Sequence, residues 1–177
     1  MLTFSTLTAE AADYPRMLDL YLSAFPAEER RDVSDLVRLM CGEPRFHVLA
    51  AYDEAGFAGF ITYWDFSAFR YVEHFAISDA CRGKGYGGAV IEHVKSATDL
   101  PILLEVEPPV TEQAVRRIRF YEKHGFCVSD YDYRQPPYRE GDEELVLRLM
   151  TTQSESRGRV TASMVETLRR EVYGVQL

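Results

Sequence analysis

Apolar side chains recur along the chain with two periods, which separate helices from strands. Apolar residues spaced three or four apart predict amphipathic helices, because side chains at that spacing share one helical face. These helices are predicted over residues 11–24, 33–42, 85–97 and 111–124. Segments rich in β-branched and aromatic residues predict strands instead. The strands are predicted over residues 46–52, 57–66, 70–78 and 101–107, with a weaker one over 2–7.

Turn residues between these segments indicate how they connect. Residues 53–56 read Asp-Glu-Ala-Gly, and this turn chemistry predicts a hairpin between two strands. Gly125 stands where a left-handed residue would end a helix. Two closing strands are predicted over residues 126–133 and 143–150. The order of elements predicts an α+β fold around a mixed, mostly antiparallel sheet.

The C-terminal region differs in composition from what precedes it. Residues 151–158 are polar and rich in Ser and Thr, which predicts a linker. A last helix is predicted over residues 160–173, and its apolar face could dock on another subunit. We therefore expect one domain over residues 1–150, a linker and helix over 151–177, and a homodimer as one possible assembly.

Composition and charge narrow the class of protein. A chain of 177 residues suits one domain with a sizeable core. The formal net charge of −8 disfavours nucleic acid as a partner, because binding to phosphates requires basic surfaces. The three cysteines include no C-x-x-C pair, which fits a reducing cytoplasm. We expect no signal peptide and no membrane partner, because no apolar stretch approaches the roughly 20 residues that span a bilayer.

The glycine-rich segment between the third main strand and the next helix carries the strongest functional signal. Residues 82–88 read Arg-Gly-Lys-Gly-Tyr-Gly-Gly, with four glycines in seven positions. So much glycine favours a close approach of backbone to a ligand. The start of a helix adds free N–H groups and a positive dipole end, which together suit a phosphate. The alternative is a flexible surface turn.

Two other phosphate motifs compete with this interpretation. A P-loop requires Gly-Lys followed by Ser or Thr, and the chain has neither sequence. Gly83, Gly85 and Gly88 match the dinucleotide fingerprint G-x-G-x-x-G, with Glu105 or Glu107 near the position of the ribose-binding acid. A nicotinamide-dependent oxidoreductase is thus a rival hypothesis. However, too few βα units follow residue 107 for a doubly wound sheet, and Arg82 would have no role.

Three segments in order resemble the GNAT superfamily of CoA-dependent N-acyltransferases. Residues 82–87 fit its R/Q-x-x-G-x-G/A signature, residues 73–78 resemble its central strand, and residues 120–126 resemble its FYxxxGF segment. The likeness covers roughly residues 2–150. The chain departs from the family in two respects. Many members carry an Asn shortly after the strand that corresponds to residues 101–107, where this chain reads Glu-Pro-Pro-Val-Thr, and it contains no Asn at all. The tail after Met150 also lies outside the usual core.

The resemblance implies a three-layer α/β/α fold whose sheet splays into a V, with acetyl-CoA as cosubstrate and no metal. The pantetheine arm would pair with the end of the central strand, as an added strand would. The loop would hold the pyrophosphate through its N–H groups. The cofactor-binding residues implied are Phe75, Ala76, Ile77, Arg82, Gly83, Lys84, Gly85, Tyr86, Gly87 and Gly88.

Acetyl transfer to an amine calls for a base, an oxyanion partner and an acid for the departing thiolate. Glu73 is the candidate base, or else a salt-bridged strand carboxylate, and Glu105 or a water relay could replace it. Tyr121 is the candidate acid, or else a core aromatic. The N–H of Ile77 would meet the oxyanion. His74 is expected to be structural, because strand alternation turns it away from Glu73.

The acceptor side is less defined. Cys81 has no histidine in its local pattern, so an acyl-enzyme is disfavoured, and the remaining histidines lack metal-ligand spacing. Substrate choice is expected from residues 28–31 and 134–141. Tyr131, Tyr133 and Tyr138, expected to be exposed, could wall a pocket for a small-molecule or protein amine, or equally be interface or packing residues. An acyl-CoA sensor without turnover is the other alternative.

Overall fold

The chain is described by a computed structural model over residues 1–152 and 159–176. These residues form two units. One holds Met1–Phe66 with Tyr71–Asp99, and the other holds Ser67–Arg70 with Leu100–Leu177. The predicted linker over residues 151–158 falls mostly outside the described residues.

The first unit is built on a sheet in which four strands follow the order β1-β2-β3-β4. The strands are β1 (Thr3–Thr6), β2 (Phe46–Asp53), β3 (Gly56–Asp65) and β4 (Arg70–Ile77). The predicted hairpin is confirmed, since β2 and β3 pair antiparallel from Phe46↔Trp64 to Asp53↔Gly56. The register shifts near Ala51, which makes Ala58 the extra residue of a β-bulge.

Helices α1 (Tyr14–Ala24) and α2 (Val33–Gly42) pack on the hairpin, α1 against β3 and α2 against β2. Each contributes side chains at helical spacing to the core, as the apolar periodicity predicts. A short 3₁₀ turn, Ala27–Glu29, lies in the link between them. The largest fully buried side chains here are Met17, Tyr21, Leu36, Phe60, Ile61, Trp64, Tyr71 and Ile91.

The chain leaves β4 through a 3₁₀ turn, Asp79–Cys81, and the glycine-rich loop, and then enters α3 (Tyr86–Ser96). Val90, Ile91 and Val94 form the buried face of this helix. The strand–loop–helix order predicted around the glycines is thus confirmed.

The second unit contains a sheet in which β5 (Ile102–Val106) pairs with β9 (Arg148–Thr151), and β9 pairs with β6 (Cys127–Val128). Both pairings are antiparallel. Helix α4 (Glu112–Lys123) packs on β5 and β6. The Thr111 side chain accepts a hydrogen bond from the Ala114 N–H and caps this helix. Gly125 has φ 82° immediately after it, as predicted.

The predicted closing strands are wrong in extent. The structure breaks them into short pieces, because a second small sheet, β7 (Arg134–Gln135) with β8 (Leu145–Val146), lies between β6 and β9 in the chain. The last helix is present as α5 (Ala162–Thr167), which continues as one π-helical turn, Leu168–Val172. Antiparallel pairing and packed helices in both units confirm the α+β class. No helix among residues 1–152 and 159–176 is long and apolar enough to cross a membrane.

Candidate active site

The glycine-rich loop has the backbone that its composition predicts. Gly83 and Gly85 both have φ 77°, in the left-handed region that favours glycine. Gly85 is also the N-cap of α3, a helix of 11 residues, and as glycine it offers its helix no side-chain hydrogen bond. The first N–H groups of α3 are therefore free of side-chain capping, as an anion site requires.

The loop is open on the side where its glycines lie. A Cβ placed on Gly83 or Gly85 would meet no atom within 4 Å. The two loop cations have acidic neighbours: an Arg82 guanidinium nitrogen lies 2.9 Å from Asp79, and the Lys84 ammonium lies 3.6 Å from Asp53. The Arg82 side chain is largely exposed, and the Lys84 side chain is about half exposed.

Asp53, the last residue of β2, contacts the loop from the hairpin. Its Oδ2 accepts a hydrogen bond from the Tyr86 hydroxyl at 3.1 Å, and its Oδ1 accepts one from the Ala55 N–H at 2.8 Å. The Ala55 hydrogen bond, followed by Tyr86 and Lys84, holds the pKa of the Asp53 carboxyl below its usual value.

The end of β4, where the pantetheine arm is expected, lies unusually close to the bulged part of β3. A Cβ on Gly59 would lie 2.5 Å from the Ala76 carbonyl oxygen and 2.8 Å from the Ile77 Cδ1. The Ser78 N–H also donates to the Ala58 carbonyl at 2.9 Å. Only glycine allows this approach, so Gly59 fixes the position of the strand end.

Glu73 is held on both oxygens. Oε1 lies 2.8 Å from the Arg31 Nε, and Oε2 accepts a hydrogen bond of 2.7 Å from the Trp64 indole. The Glu73 side chain has no exposed surface, and the Arg31 side chain is only 9% exposed. The Arg31 guanidinium also lies 5.7 Å from the centroid of the Trp64 ring. These contacts match the salt-bridged alternative for Glu73 and place Arg31 beside the candidate base.

His74 is buried, which matches the structural role expected of it. Its Nε2 lies 3.0 Å from the Glu29 carbonyl oxygen, which can only accept, so Nε2 carries a proton. The Tyr21 and Phe25 rings pack edge-on against it. Burial lowers the pKa of His74. Both His74 and Glu73 therefore contact the segment that links α1 to α2.

Tyr121 lies in the second unit, on the face of α4 that packs into the core. Its ring is buried and contacts Phe120 and Phe126 at centroid distances of 5.1 and 5.5 Å. Burial raises the pKa of Tyr121 to about 12, an effect that nearby Arg117 partly offsets. Within the described part of the chain its hydroxyl has no hydrogen-bond partner, which is compatible with a group that meets a substrate.

Glu105, the second candidate base, is also engaged on both oxygens. It accepts hydrogen bonds from the Tyr133 hydroxyl, from the Gln135 amide at 2.7 Å and from the Tyr173 hydroxyl at 2.8 Å. Tyr138 packs on Tyr173 at a centroid distance of 5.2 Å. Tyr133 is 3% exposed, so the expectation that it is exposed is wrong and the packing alternative fits: its hydroxyl is used inside the unit.

A cavity of about 450 Å³ opens in the second unit, and Tyr133 is one of the residues that line it. Its wall includes Asp130, Tyr131, Asp132 and Arg148. Tyr131 is 36% exposed and lies on the wall of this cavity, and its role toward an acceptor stays a prediction. No group of three or more metal-ligating side chains occurs within residues 1–152 and 159–176.

One solved structure resembles the chain over almost its full length. A proposed GNAT-family acetyltransferase from Bacteroides thetaiotaomicron is 40% identical, with 98% of this chain and 99% of that chain covered and a TM-score of 0.88. The chain belongs to the GNAT family. The family model for the acetyltransferase (GNAT) domain also matches residues 44–128, which include the hairpin, β4, the loop and all of α3, β5 and α4.

Other GNAT relatives are more distant. A proposed acetyltransferase of Bacillus subtilis (strain 168), YjbC, is 29% identical over 104 residues, which are 58% of this chain. The matched region spans 52% of that curated relative, about half its length. A GNAT acetyltransferase from Elizabethkingia anophelis with acetyl-CoA bound shares the fold at 15% identity, with 85% of this chain and 96% of that chain covered and a TM-score of 0.60. The predicted family and the acyl-CoA N-acyltransferase fold type are confirmed.

Several residues with clear contacts at these sites were not singled out by the sequence. Asp53 reads only as a turn residue, Arg31 as part of a charged link, and Tyr173 as part of a terminal helix. A carboxylate in a hairpin turn is a weak signal, because Asp is common in turns for its own backbone contacts. The other two contacts join residues far apart in the chain, and no local pattern reports them.

Proposed function

We propose that this GNAT protein moves the acetyl group of acetyl-CoA to a primary amine by direct attack within a ternary complex. The observation that carries the proposal is the open loop at the start of α3, with two left-handed glycines and uncapped N–H groups. This backbone suits a diphosphate better than an uncharged ligand, because N–H groups and the helix dipole both favour negative charge.

The proposed CoA contacts all lie in the first unit, at the end of β4 and in the glycine-rich loop. The N–H groups of residues 82–88 would bind the pyrophosphate, with Arg82 and Lys84 adding charge. The backbone of Phe75, Ala76 and Ile77 would pair with the pantetheine amides, as an added strand does. The tight packing of Gly59 against this strand end supports the proposal, because a fixed strand presents its N–H groups in one place.

The chemistry balances without a covalent enzyme intermediate. The neutral amine nitrogen attacks the thioester carbonyl, a C–N bond forms, and the C–S bond then breaks. The developing oxyanion would accept a hydrogen bond from the N–H of Ile77. Tyr121 would donate its proton to the departing thiolate, and the proton that the amine loses would restore the phenol. Its raised pKa, about 12, keeps the phenol protonated before the reaction.

The contacts of the two candidate carboxylates, Glu73 and Glu105, bear on which group acts as the base. Glu73 stays a prediction as base, but its two engaged oxygens and its lack of exposed surface weigh against it. The same holds for Glu105, whose oxygens accept three hydrogen bonds. We therefore favour the third option, a water relay, which would carry the amine proton to the Tyr121 phenolate once the thiolate has taken its proton. The acceptor class, the cytoplasmic location, a homodimer and a domain over residues 1–150 stay predictions.

A thiol-release assay with acetyl-CoA and a panel of primary amines tests the proposal. The wild-type protein should release CoA thiol in the presence of at least one amine, and CoA should raise its melting temperature by mass action. Gly85→Glu should abolish that shift, because a carboxylate in the loop repels the diphosphate. Stabilisation by NAD instead of CoA would favour the oxidoreductase, and CoA binding with no turnover on any amine would favour a sensor.

Tyr121→Phe tests the proposed acid. The variant should turn over more slowly at saturating substrates while its affinity for CoA stays the same, since the hydroxyl would act only in the transition state. Tyr14→Phe is the matched control, because the Tyr14 hydroxyl is buried with no hydrogen-bond partner among the described residues. Full turnover by Tyr121→Phe would remove the acid role.

A further inference from the structure

We infer that Asp53 is a positioning residue for acyl-CoA: it fixes the glycine-rich loop in its ligand-ready shape from the tip of the β2–β3 hairpin. This inference rests on the proposed function, because it assigns a role in CoA affinity. It concerns a residue outside the loop signature, on a different part of the chain.

The contacts of Asp53 reach both sides of Gly85. Its Oδ2 accepts from the Tyr86 hydroxyl at 3.1 Å, lies 3.6 Å from the Lys84 ammonium, and is 3.8 Å from the Cys81 Sγ. Its side chain is only 8% exposed, although it lies at a hairpin tip. One carboxylate thus touches the turn before the loop, the loop itself and the first residue of α3.

A loop of this composition needs such an anchor. Glycine loses more conformational freedom than any other residue when its backbone is fixed. A loop that is disordered before binding would lose that freedom on binding and so weaken affinity, whereas a pre-ordered loop would not. Gly83 and Gly85 cannot anchor themselves, because they have no side chains. Lys84 and Tyr86 alternate with these glycines along the chain. The Asp53 carboxylate contacts both of their side chains.

Both anchored side chains are engaged by the hairpin. Lys84 and Tyr86 contact the Asp53 carboxylate, and the Lys84 ammonium lies 5.6 Å from the centroid of the Tyr86 ring. A Cβ added to Gly83 or Gly85 would meet no atom beyond the two adjoining residues within 4 Å, so no other part of the described chain crowds the glycines.

A carboxylate near a diphosphate would also repel it, so anchoring and repulsion predict opposite effects. The lowered pKa of Asp53 keeps it charged at neutral pH, and the Lys84 ammonium beside it compensates that charge. If anchoring dominates, removing the side chain weakens CoA binding. If repulsion dominates, removing it strengthens CoA binding.

Two substitutions at this position separate the effects. Asp53→Ala removes the charge and the hydrogen bonds, and we expect the Kd for CoA and the KM for acetyl-CoA to rise about tenfold, as for one or two lost hydrogen bonds. Asp53→Asn removes the charge but can keep both polar contacts, since the amide oxygen can accept from the Ala55 N–H while the amide N–H donates to the Tyr86 hydroxyl oxygen. We expect its Kd to stay within about threefold of the wild-type value. The kcat at saturating acetyl-CoA should change little in both.

Tyr86→Phe and the double variant with Asp53→Ala complete a mutant cycle. Each single change breaks the same contact, so the double variant should bind CoA no more weakly than Asp53→Ala alone. Tyr86→Phe removes one hydroxyl and keeps the ring, so it tests the contact even if Asp53→Ala unfolds. Asp65→Ala, at the far end of the same hairpin, is the matched control and should leave the Kd unchanged.

The outcomes separate this inference from the proposed function. Wild-type protein that fails to bind CoA overturns both. Wild-type binding with an unchanged or lower Kd in Asp53→Ala and Tyr86→Phe overturns the anchoring role alone. Additive effects in the cycle, or a fall in kcat with an unchanged KM, would also contradict it.

Discussion

Gly59 offers the sharpest test of how the strand end is positioned. Substituting alanine adds one methyl group where β3 meets β4. That carbon would lie 2.5 Å from the Ala76 carbonyl oxygen, about 0.9 Å inside the shortest ordinary contact of 3.4 Å. It would also lie 3.0 Å from the Ile77 Cα. Two of the three close atoms belong to backbone, so β3 or β4 must move.

The shift has a stability cost and a functional cost. Overpacking a tight site costs about 1–3 kcal/mol. In a protein of this size each kcal/mol lowers the melting temperature by roughly 2–4 °C, so the expected loss is roughly 2–12 °C. A displacement of about 1 Å in positioning groups can reduce the rate about 100-fold. Because residues 75–77 carry the proposed pantetheine and oxyanion contacts, we expect kcat/KM to fall by at least about tenfold.

The assay compares Gly59→Ala with Gly42→Ala by thermal unfolding and by thiol release. Gly42 ends α2, and a Cβ there meets nothing within 4 Å, so the same chemical change should be neutral or stabilising. A melting temperature and kcat/KM for Gly59→Ala that equal the wild-type values would refute the close approach. A loss of stability with full activity would refute the link between this contact and the proposed site.

Two further predictions concern the first unit. Glu73→Gln should lower the free energy of unfolding in urea by about 3–5 kcal/mol, because it removes the buried ion pair between Glu73 and the Arg31 guanidinium; a neutral result would show that this ion pair does not stabilise the link between α1 and α2. For His74, burial lowers the folded pKa below the unfolded value of about 6.5, so the unfolded state binds more protons and stability falls as the pH drops below about 6.5. His74→Gln keeps an N–H donor for Glu29, and its unfolding free energy should fall less between pH 7 and 5 than the wild-type value; equal slopes would contradict this.

The sequence predicts those features that depend on neighbours along the chain. Helices α1 to α4 and the β2–β3 hairpin follow from periodicity and turn chemistry, because burial imposes a period on each element. A glycine-rich loop between a strand and a helix is also visible in the sequence, whereas the left-handed backbone of Gly83 and Gly85 is known only from the structure.

The sequence does not predict contacts between distant residues. Arg31 and Glu73 lie 42 positions apart, and Tyr133 lies 28 positions from Glu105. Each of these polar side chains reads as a solvated surface residue until a buried partner is known, because burial of a polar group requires that partner. This is why Tyr133 was expected at the surface and why Glu73 was considered free to act as a base.

The hydrogen bond from Tyr173 to Glu105 has a consequence for biosynthesis. It joins residues 68 positions apart and uses one of the last side chains of the chain. While the ribosome is still making the protein, β5 can emerge and begin to pair, but the Glu105 carboxylate on β5 still lacks the Tyr173 hydroxyl as a donor. The second unit therefore cannot acquire this polar contact until Tyr173 has left the exit tunnel.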